Sequence, residues 1–467
     1  MRLFAFQGLR YSSRAGDAGR LAAPPYDQID DAARDRFQAA SPYQFVHLTR
    51  PVAPVVPTAP PAGPGVPPPG PSPYQHAAEL HRRWLRDGII ARDEQPALYP
   101  YVVELAGGGR RLGVMALVAY APPTEIRPHE QTIDKPLAER LALLEATRVD
   151  LEPALLLAED DGQLDRLLAE DLDGRAAGGA GQALPAMVDY RDPDGHHHRL
   201  FRIADPARIA AYQAALAARP AAIADGHHRY KVGQLFAAAH PAAAATAATA
   251  GDIAPAAAAA KLAVVTSIGS PALTIDPIHR ALRQRIDLQR LRSDLGWPAA
   301  GAGSTAISAS AAVSAGAATP AIAAVSPFGG SSGAELARAV AAAPQPALGV
   351  WVAGGRPPEI WQLSPAGRTP GAAPLVVEIF QRVILPALGI APAAATDGTL
   401  VYRSDPGTLY DQVESGELGT GFWLPPMRPA EFAAAIAHGE LLPPKSTRFL
   451  PKAMSGLVWC DHQSRVI

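Results

Sequence analysis

The sequence predicts an α/β protein, α+β in its details, built on mixed sheets. Apolar runs of strand length alternate with stretches whose apolar residues recur at helical spacing. Pairs of strand-like runs joined by short Gly turns read as hairpins, so the sheets are not wholly parallel. Near the middle of the chain a short apolar run ends in Asp-Gly and passes directly into a helical pattern.

The elements follow in order. Leu3 to Tyr11 reads as an opening strand. Pro24 and Pro25 then fix the backbone and deny it helix. Tyr26 and Asp27 are therefore held on a stiff corner, where Asp27 either faces a site or caps a helix over Asp31 to Ala39. The Pro/Gly run from Pro51 to Pro73 has no apolar periodicity and reads as a linker or insert that folding does not require. An amphipathic helix over Tyr74 to Asp87 ends at Gly88, and Leu98 to Glu104 with Leu112 to Tyr120 form a hairpin around Gly107–Gly109. That triple glycine is a turn, because no helix or Lys-Ser/Thr follows it.

Ile126 to Asp134 carries Arg127-Pro128-His129-Glu130 after a strand. A zinc-protease reading fails because Ile133 stands where the second histidine is required. Glu130 is then a general base, a magnesium ligand or an ion-pair partner, with His129 beside it and Lys135 and Arg140 close behind. A helix over Leu137 to Thr147, a strand over Pro153 to Ala158 and a helix over Gln163 to Asp171 lead to a loop at Gly174 to Gly181. Ala186 to Tyr190 and His198 to Ile203 form a second hairpin around Pro193-Asp194-Gly195, in which Gly195-His196-His197-His198-Arg199 starts a strand after the turn and reads as a solvated hairpin or as an adventitious metal site. Pro206 to Arg219 is a helix, Pro220 to Ala224 a buried strand and Tyr230 to Ala239 a helix. An Ala-rich connection and a strand over Leu262 to Ile268 come next, and then Pro277-Ile278-His279-Arg280, read as a surface pair at a helix start or as pocket neighbours. After a low-complexity insert near 301–325, strand and helix patterns resume from Ala347. They end in a proline-cornered strip, Pro443-Pro444-Lys445-Ser446-Thr447 to Lys452.

Composition bounds the function. Hydrophobic residues make up 48% and charged ones 18%, with a net charge of −2, which argues against a protein built to grip nucleic acid. The single cysteine, Cys460, excludes an internal disulfide and a cysteine-rich metal site. Met1 to Arg10 lacks an apolar signal core and no stretch reads as a membrane span, so a cytoplasmic location is expected. Lysine is rare: Lys135, Lys231, Lys261, Lys445 and Lys452 are the five present, and four lie in or beside the motifs.

The sharpest candidate site is Asp225-Gly226-His227-His228-Arg229. Gly226 suits a positive φ, and the helix that follows points its positive end outward. His227, His228 and Arg229 add donors, and the combination suits a phosphate. Lys445, Ser446, Thr447 and Lys452 offer further anion contacts.

Strand, Asp225 to Arg229, then helix resembles the phosphate-binding box of the ParB/sulfiredoxin superfamily. That resemblance implies a ParB/sulfiredoxin-like core at 126–285, between an N-terminal region at 1–125 and a C-terminal α/β region at 286–467. It also implies a nucleotide, ATP, ADP or CTP with Mg2+, and makes His279 and Arg280 pocket neighbours. Pro24-Pro25-Tyr26-Asp27, His129 to Thr132, Ala224 to Tyr230 and Pro443 to Lys452, in that order, resemble domain-of-unknown-function family 1015 over most of the chain. The expected activity is phosphoryl transfer from a nucleotide to a small hydroxyl metabolite. His227, His228 and Arg229 would hold phosphate, Lys445 would offset charge, and Asp225 or Glu130 would act as base or magnesium ligand. The rival expectations are a non-catalytic nucleotide switch and a phosphoester hydrolase or nuclease.

Overall fold

The computed structural model describes all residues except 54–71, 131–133, 175–182, 242–246, 250–251, 255, 296–321, 345, 364–374, 392–397, 438 and 440. The expectations for the Pro/Gly run, the Gly174–Gly181 loop and the low-complexity insert fall largely outside the described residues. The fold is mixed α/β, in two compact units. The first comprises Met1–Pro128, Thr132–Leu273 and Pro451–Ile467; the second comprises His129–Gln131 and Thr274–Leu450. These units do not follow the consecutive stretches 1–125, 126–285 and 286–467. Residues 451–467 pair with the N-terminal strands, a long-range choice that local periodicity does not encode.

The first unit is organised on one large sheet. Its strands are β1 (Leu3–Phe4), β2 (Tyr99–Glu104), β3 (Arg110–Ala119), β4 (Ile126–Arg127), β5 (Ala154–Ala158), β6 (Val188–Arg191), β7 (His197–Leu200), β8 (Ala221–Asp225) and β9 (Ala260–Ser267). The order is β4-β8-β5-β9-β3-β2-β7-β6, with β1 also pairing β3. β8 runs parallel to β4 and antiparallel to β5, while β5 and β9 are parallel, so the sheet is mixed. Leu112, Val114, Ala116 and Val118 alternate along β3 into a core shared with Leu156, Ile223 and Val265. Met115 and Leu117 on the opposite face are buried as well, which is why β3 reads as a continuous apolar run.

The helices of this unit include α1 (Asp31–Ala40), α2 (Pro73–Arg86), α3 (Asp134–Thr147), α4 (Gln163–Leu172), α5 (Pro206–Leu216) and α6 (His227–Ala239). Leu164 and Leu168 of α4 and Ile209, Tyr212 and Leu216 of α5 close the core. α2 starts with a capping box in which the Ser72 hydroxyl accepts from the Gln75 N–H and the Gln75 side chain accepts from the Ser72 N–H.

The 451–467 segment is stitched in by backbone pairing. Leu9 and Trp459 exchange N–H···O bonds of 2.8 and 3.0 Å, and Ala5 does the same with Ile467 at 2.9 and 3.0 Å. Trp459 packs edge-on against Tyr11 and tilted against Phe45, with ring centroids 5.4 and 4.9 Å away. Its indole N–H donates to Nε2 of buried His81 at 3.2 Å, which requires that nitrogen to be unprotonated. Burial pushes the His81 imidazole down to about 4. Its folded value lies below the unfolded value of about 6.5, so its contribution is fully present above that pH and is lost as pH falls through the folded value. The unfolding midpoint should therefore drop between about pH 6.5 and 4, as thermal melts across that range would show. His81→Gln, which keeps an acceptor for the indole, should flatten that part of the curve.

The second hairpin is where expected, but its chemistry differs. His198 is 1% exposed rather than solvated, because alternation along β7 turns it inward. Its Nδ1 lies 2.7 Å from the Tyr101 hydroxyl, and its Nε2 lies 3.0 Å from the Asp192 carboxylate.

The second unit holds an antiparallel sheet of β10 (His279–Leu282), β11 (Ile322–Pro327), β12 (Ala347–Val352), β13 (Glu359–Leu363), β14 (Leu400–Arg403) and β15 (Thr420–Trp423). The order is β11-β13-β12-β15-β10-β14. α7 (Gly333–Ala342) and α8 (Pro406–Glu414) contribute Leu336, Val340, Leu409 and Val413 to a core with Trp423. α9 (Pro429–Ala437) lies further along the chain. His279 and Arg280 sit on β10, each 1% exposed, and not at a helix start. All four residues of that strand are buried, so both adjacent side chains are enclosed, one on each face.

Candidate functional site

β8 ends at Asp225, and Gly226 turns the chain at φ +86° into α6, which starts at His227. Only glycine takes that conformation without strain. A Cβ on Gly226 would also meet Arg229 Nε at 3.0 Å and the Ala154 backbone at 3.2 Å. Gly226→Ala should therefore lower stability by about 1–3 kcal/mol in a urea titration. A loss under 0.5 kcal/mol, a surface-like value, would show that the turn is not constrained.

Arg229 points inward. Its guanidinium donates to the Pro153 carbonyl and to the Asp225 carboxylate at the end of β8. Asp225 also accepts from the Lys452 ammonium at 2.8 Å, and the same ammonium reaches Asp27 at 3.0 Å. Burial disfavours a charged Asp225, yet the adjacent Arg229 and Lys452 charges outweigh it and hold the carboxyl well below the usual range. Burial likewise disfavours the Lys452 cation, but Asp225 and Asp27 raise its pKa. His227 is buried and His228 half-buried.

Asp27 lies on the proline-stiffened corner, in a short turn over Tyr26–Gln28. The cap of α1 is Asp30, whose carboxylate accepts from the Ala33 N–H at 2.7 Å, so Asp27 is left to pair with Lys452. The Tyr26 N–H donates to Glu152 at 2.9 Å, and the Arg140 guanidinium lies 4.2 Å from the Tyr26 ring centroid. Arg140 also donates to the Thr49 carbonyl at 2.7 Å. Glu152 is 5% exposed, and burial pushes its carboxyl up against the opposing charges of Arg229 and Arg140.

The other expected residues belong to the second unit. His129 is buried against Phe432 and Phe449, its Nε2 2.7 Å from the Thr447 hydroxyl, and its carbonyl accepts from the Leu442 N–H. Glu130 is half-buried. The Arg280 guanidinium, 4.7 Å from the Tyr402 ring centroid, donates to the carbonyls of Ile278 and, at 2.7 Å, Lys445. That bond fixes Lys445 in a turn at φ +60°, and the Ser446 hydroxyl donates to the Pro443 carbonyl. His279 Nδ1 accepts from the Leu424 N–H at 3.2 Å, and burial takes its imidazole down to about 4. The residues expected to share a pocket are assigned to two units. Asp27, Arg140, Asp225–Arg229 and Lys452 share the first unit; His129, Glu130, His279, Arg280 and Lys445–Thr447 share the second.

The family described as a protein of unknown function, DUF1015, matches residues 3–296. The chain belongs to the DUF1015 family. No curated protein matches it. Among solved structures, this DUF1015 chain is similar to a conserved hypothetical protein from Pyrococcus furiosus, with 12% identity, 72% of this chain and 90% of that one covered, and a TM-score of 0.32. A free serine kinase in complex with AMP gives 14% identity, coverage of 71% and 88%, and a TM-score of 0.32. SbnI with a C-terminal truncation, from Staphylococcus aureus, gives 12%, 72% and 82%, and 0.32. No residue correspondence follows from likeness at that level.

Three polar residues beside the site in this DUF1015 chain escaped the sequence reading: Asp150, Glu152 and Lys261. Lys261 is 2% exposed and donates to the Asp150 carboxylate and, at 2.8 Å, to the Glu152 carbonyl. The signal was present. Val149-Asp150-Leu151-Glu152 alternates apolar and acidic residues, and Lys261 is a lone charge entering the apolar run of β9. Among the described residues, no group of three His, Cys, Asp or Glu side chains could hold a metal ion.

Proposed function

We propose that the first unit binds a nucleotide at the Gly226 turn and transfers a phosphoryl group to a small hydroxyl metabolite. The observation that carries this reading is the Lys452 ammonium joining Asp27 and Asp225 at the start of α6. Three segments far apart in sequence place a cation, two carboxylates and the positive end of a helix together. Phosphoryl transfer needs little more than positioning and charge neutralisation, and such a group supplies both.

The roles differ from those expected from sequence. Asp225, held ionised by two cations, is a weak base and serves to orient Lys452. Asp27 is the more exposed carboxylate and would accept the proton of an incoming hydroxyl. Arg229 braces Asp225, so phosphate contact falls to Lys452 and the first turn of α6. Magnesium needs few protein carboxylates, since it fills its shell largely with phosphate oxygens and water. Both Asp225 oxygens are engaged, by Arg229 and by Lys452, so the ion would arrive on the nucleotide's phosphates and neutralise their charge there.

The test is incubation with ATP or ADP, Mg2+ and a pool of small hydroxyl compounds, followed by phosphorus NMR. A new phosphomonoester, with the nucleotide raising the unfolding midpoint, is the expected result. Binding without product would favour a nucleotide switch, and free phosphate alone a hydrolase. No response to any nucleotide in a broad panel would overturn the reading.

A further inference from the structure

Glu152 and Pro153, just ahead of β5, are met by four separate segments of the first unit. One Glu152 carboxylate oxygen accepts from the Tyr26 N–H at 2.9 Å and from the Ser455 hydroxyl at 3.1 Å. The Glu152 carbonyl accepts from Lys261 at 2.8 Å, and the Pro153 carbonyl accepts from Arg229. Three of those donors stand beside a member of the charged group. Tyr26 directly precedes Asp27, Ser455 follows Lys452 by three residues, and Arg229 braces Asp225.

The prolines give the Tyr26 bond its weight. Pro24 and Pro25 have no N–H, so Tyr26 offers the first backbone donor after Ala23. Ala23 pairs with Ser455 through N–H···O bonds of 3.0 and 2.8 Å, which ties the chain to the 451–467 segment ahead of the prolines. Beyond them the turn that carries Asp27 is caught at Tyr26, by Glu152 below the backbone N–H and by Arg140 at the ring. A carboxylate is costly to bury unless its oxygens are paired. Among the described residues, both hydrogen bonds of the Glu152 side chain go to the segments that bring Asp27 and Lys452.

We propose that Glu152 is a positioning residue, whose carboxylate registers the Asp27 corner against the 451–467 segment so that Lys452 reaches both aspartates. It acts through Asp27 and Lys452 rather than on the reacting groups, and its bearing on phosphoryl transfer rests on the reading at Gly226.

Acetylation of the folded full chain by acetic anhydride, followed lysine by lysine in a mass spectrometer, tests this without a nucleotide. Lys452 is shielded by its two carboxylates, Lys231 is exposed and Lys261 is buried in β9. The three therefore report on the site, the reagent and the core. Glu152→Met removes the acceptor and should raise Lys452 labelling about tenfold or more relative to Lys231, the scale of two lost hydrogen bonds, with Lys261 unchanged. Glu152→Gln keeps an acceptor oxygen and should stay within about twofold of the parent. Ser455→Ala removes one of the two bonds and should raise Lys452 labelling about threefold; it decides if Glu152→Met does not fold. Where the parent turns a nucleotide over, kcat should fall about tenfold or more in Glu152→Met and be restored in Glu152→Gln. Lys452 labelling unchanged by Glu152→Met overturns the proposal. So does a rise at Lys261 that keeps pace with Lys452, which marks general loosening, or a Glu152→Gln variant that labels like Glu152→Met. Absence of product with every nucleotide, with the labelling ratios as expected, would strike the phosphoryl-transfer reading and leave the positioning role standing.

Discussion

Replacing Arg229 with methionine is expected to lower the unfolding free energy by about 3–5 kcal/mol, the range found when one partner of a buried ion pair is removed. Asp225 would keep Lys452 but lose its inner partner, and the Pro153 carbonyl would lose its donor. Adding Asp225→Asn should recover part of the loss, because no uncompensated carboxylate then remains. Urea titrations of the parent, both single variants and the double variant give the coupling directly. The pH dependence follows from the depressed Asp225 pKa. Its contribution is present above the unfolded value of about 3.9 and is lost as pH falls through the folded one. The Arg229→Met penalty should therefore shrink in strong acid. A penalty below about 1 kcal/mol at neutral pH, the level of an exposed pair, would show that the pair does not hold the turn. The same geometry changes the outcome for Arg229→Lys, which the sequence alone would expect to weaken nucleotide binding in an intact fold. With both arms of the fork engaged internally, the loss should appear first in stability.

Asp27→Asn should lower kcat by about 10²–10⁴-fold, the usual contribution of a positioned general base. Nucleotide affinity should stay within about threefold, because asparagine keeps the shape and Lys452 keeps Asp225. Little stability should be lost, since the Asp27 side chain is 41% exposed and exposed ion pairs contribute about 0–1 kcal/mol. Single-turnover kinetics with calorimetric binding would separate the two effects. A fall of less than tenfold in kcat would move the base to another residue.

Much of the central strand-turn-helix was legible because its signals are local. The apolar period changes from strand to helix at Asp225-Gly226, and glycine marks the turn. The Asp225–Arg229 pair was not legible, since Asp225 ends a strand and Arg229 lies in the first turn of a helix, and the sequence alone points the arginine at a ligand. His198 was misjudged for a related reason. Three adjacent histidines look solvated, yet β-alternation must bury one of them. What no local rule contains is which distant segment meets which. Lys452 reaches Asp27 and Asp225, while Lys445, seven residues earlier, belongs with Arg280 in the other unit. Periodicity is blind to that sorting.

The return of residues 451–467 to the first unit also sets an order of events in the cell. A ribosome making this chain must finish Thr274–Leu450 before it supplies Trp459 to pair with Leu9 or Lys452 to bridge the two aspartates. At translation rates of about 5–20 residues per second, that delay is on the order of 10–35 s. Throughout it, the aromatic pocket of Tyr11 and Phe45 lacks its indole, and Asp27 and Asp225 lack the charge between them. The nascent first unit is then a natural client for chaperones. A product cut short before Lys452 would contain both Asp27 and Asp225 and yet be unable to assemble the site.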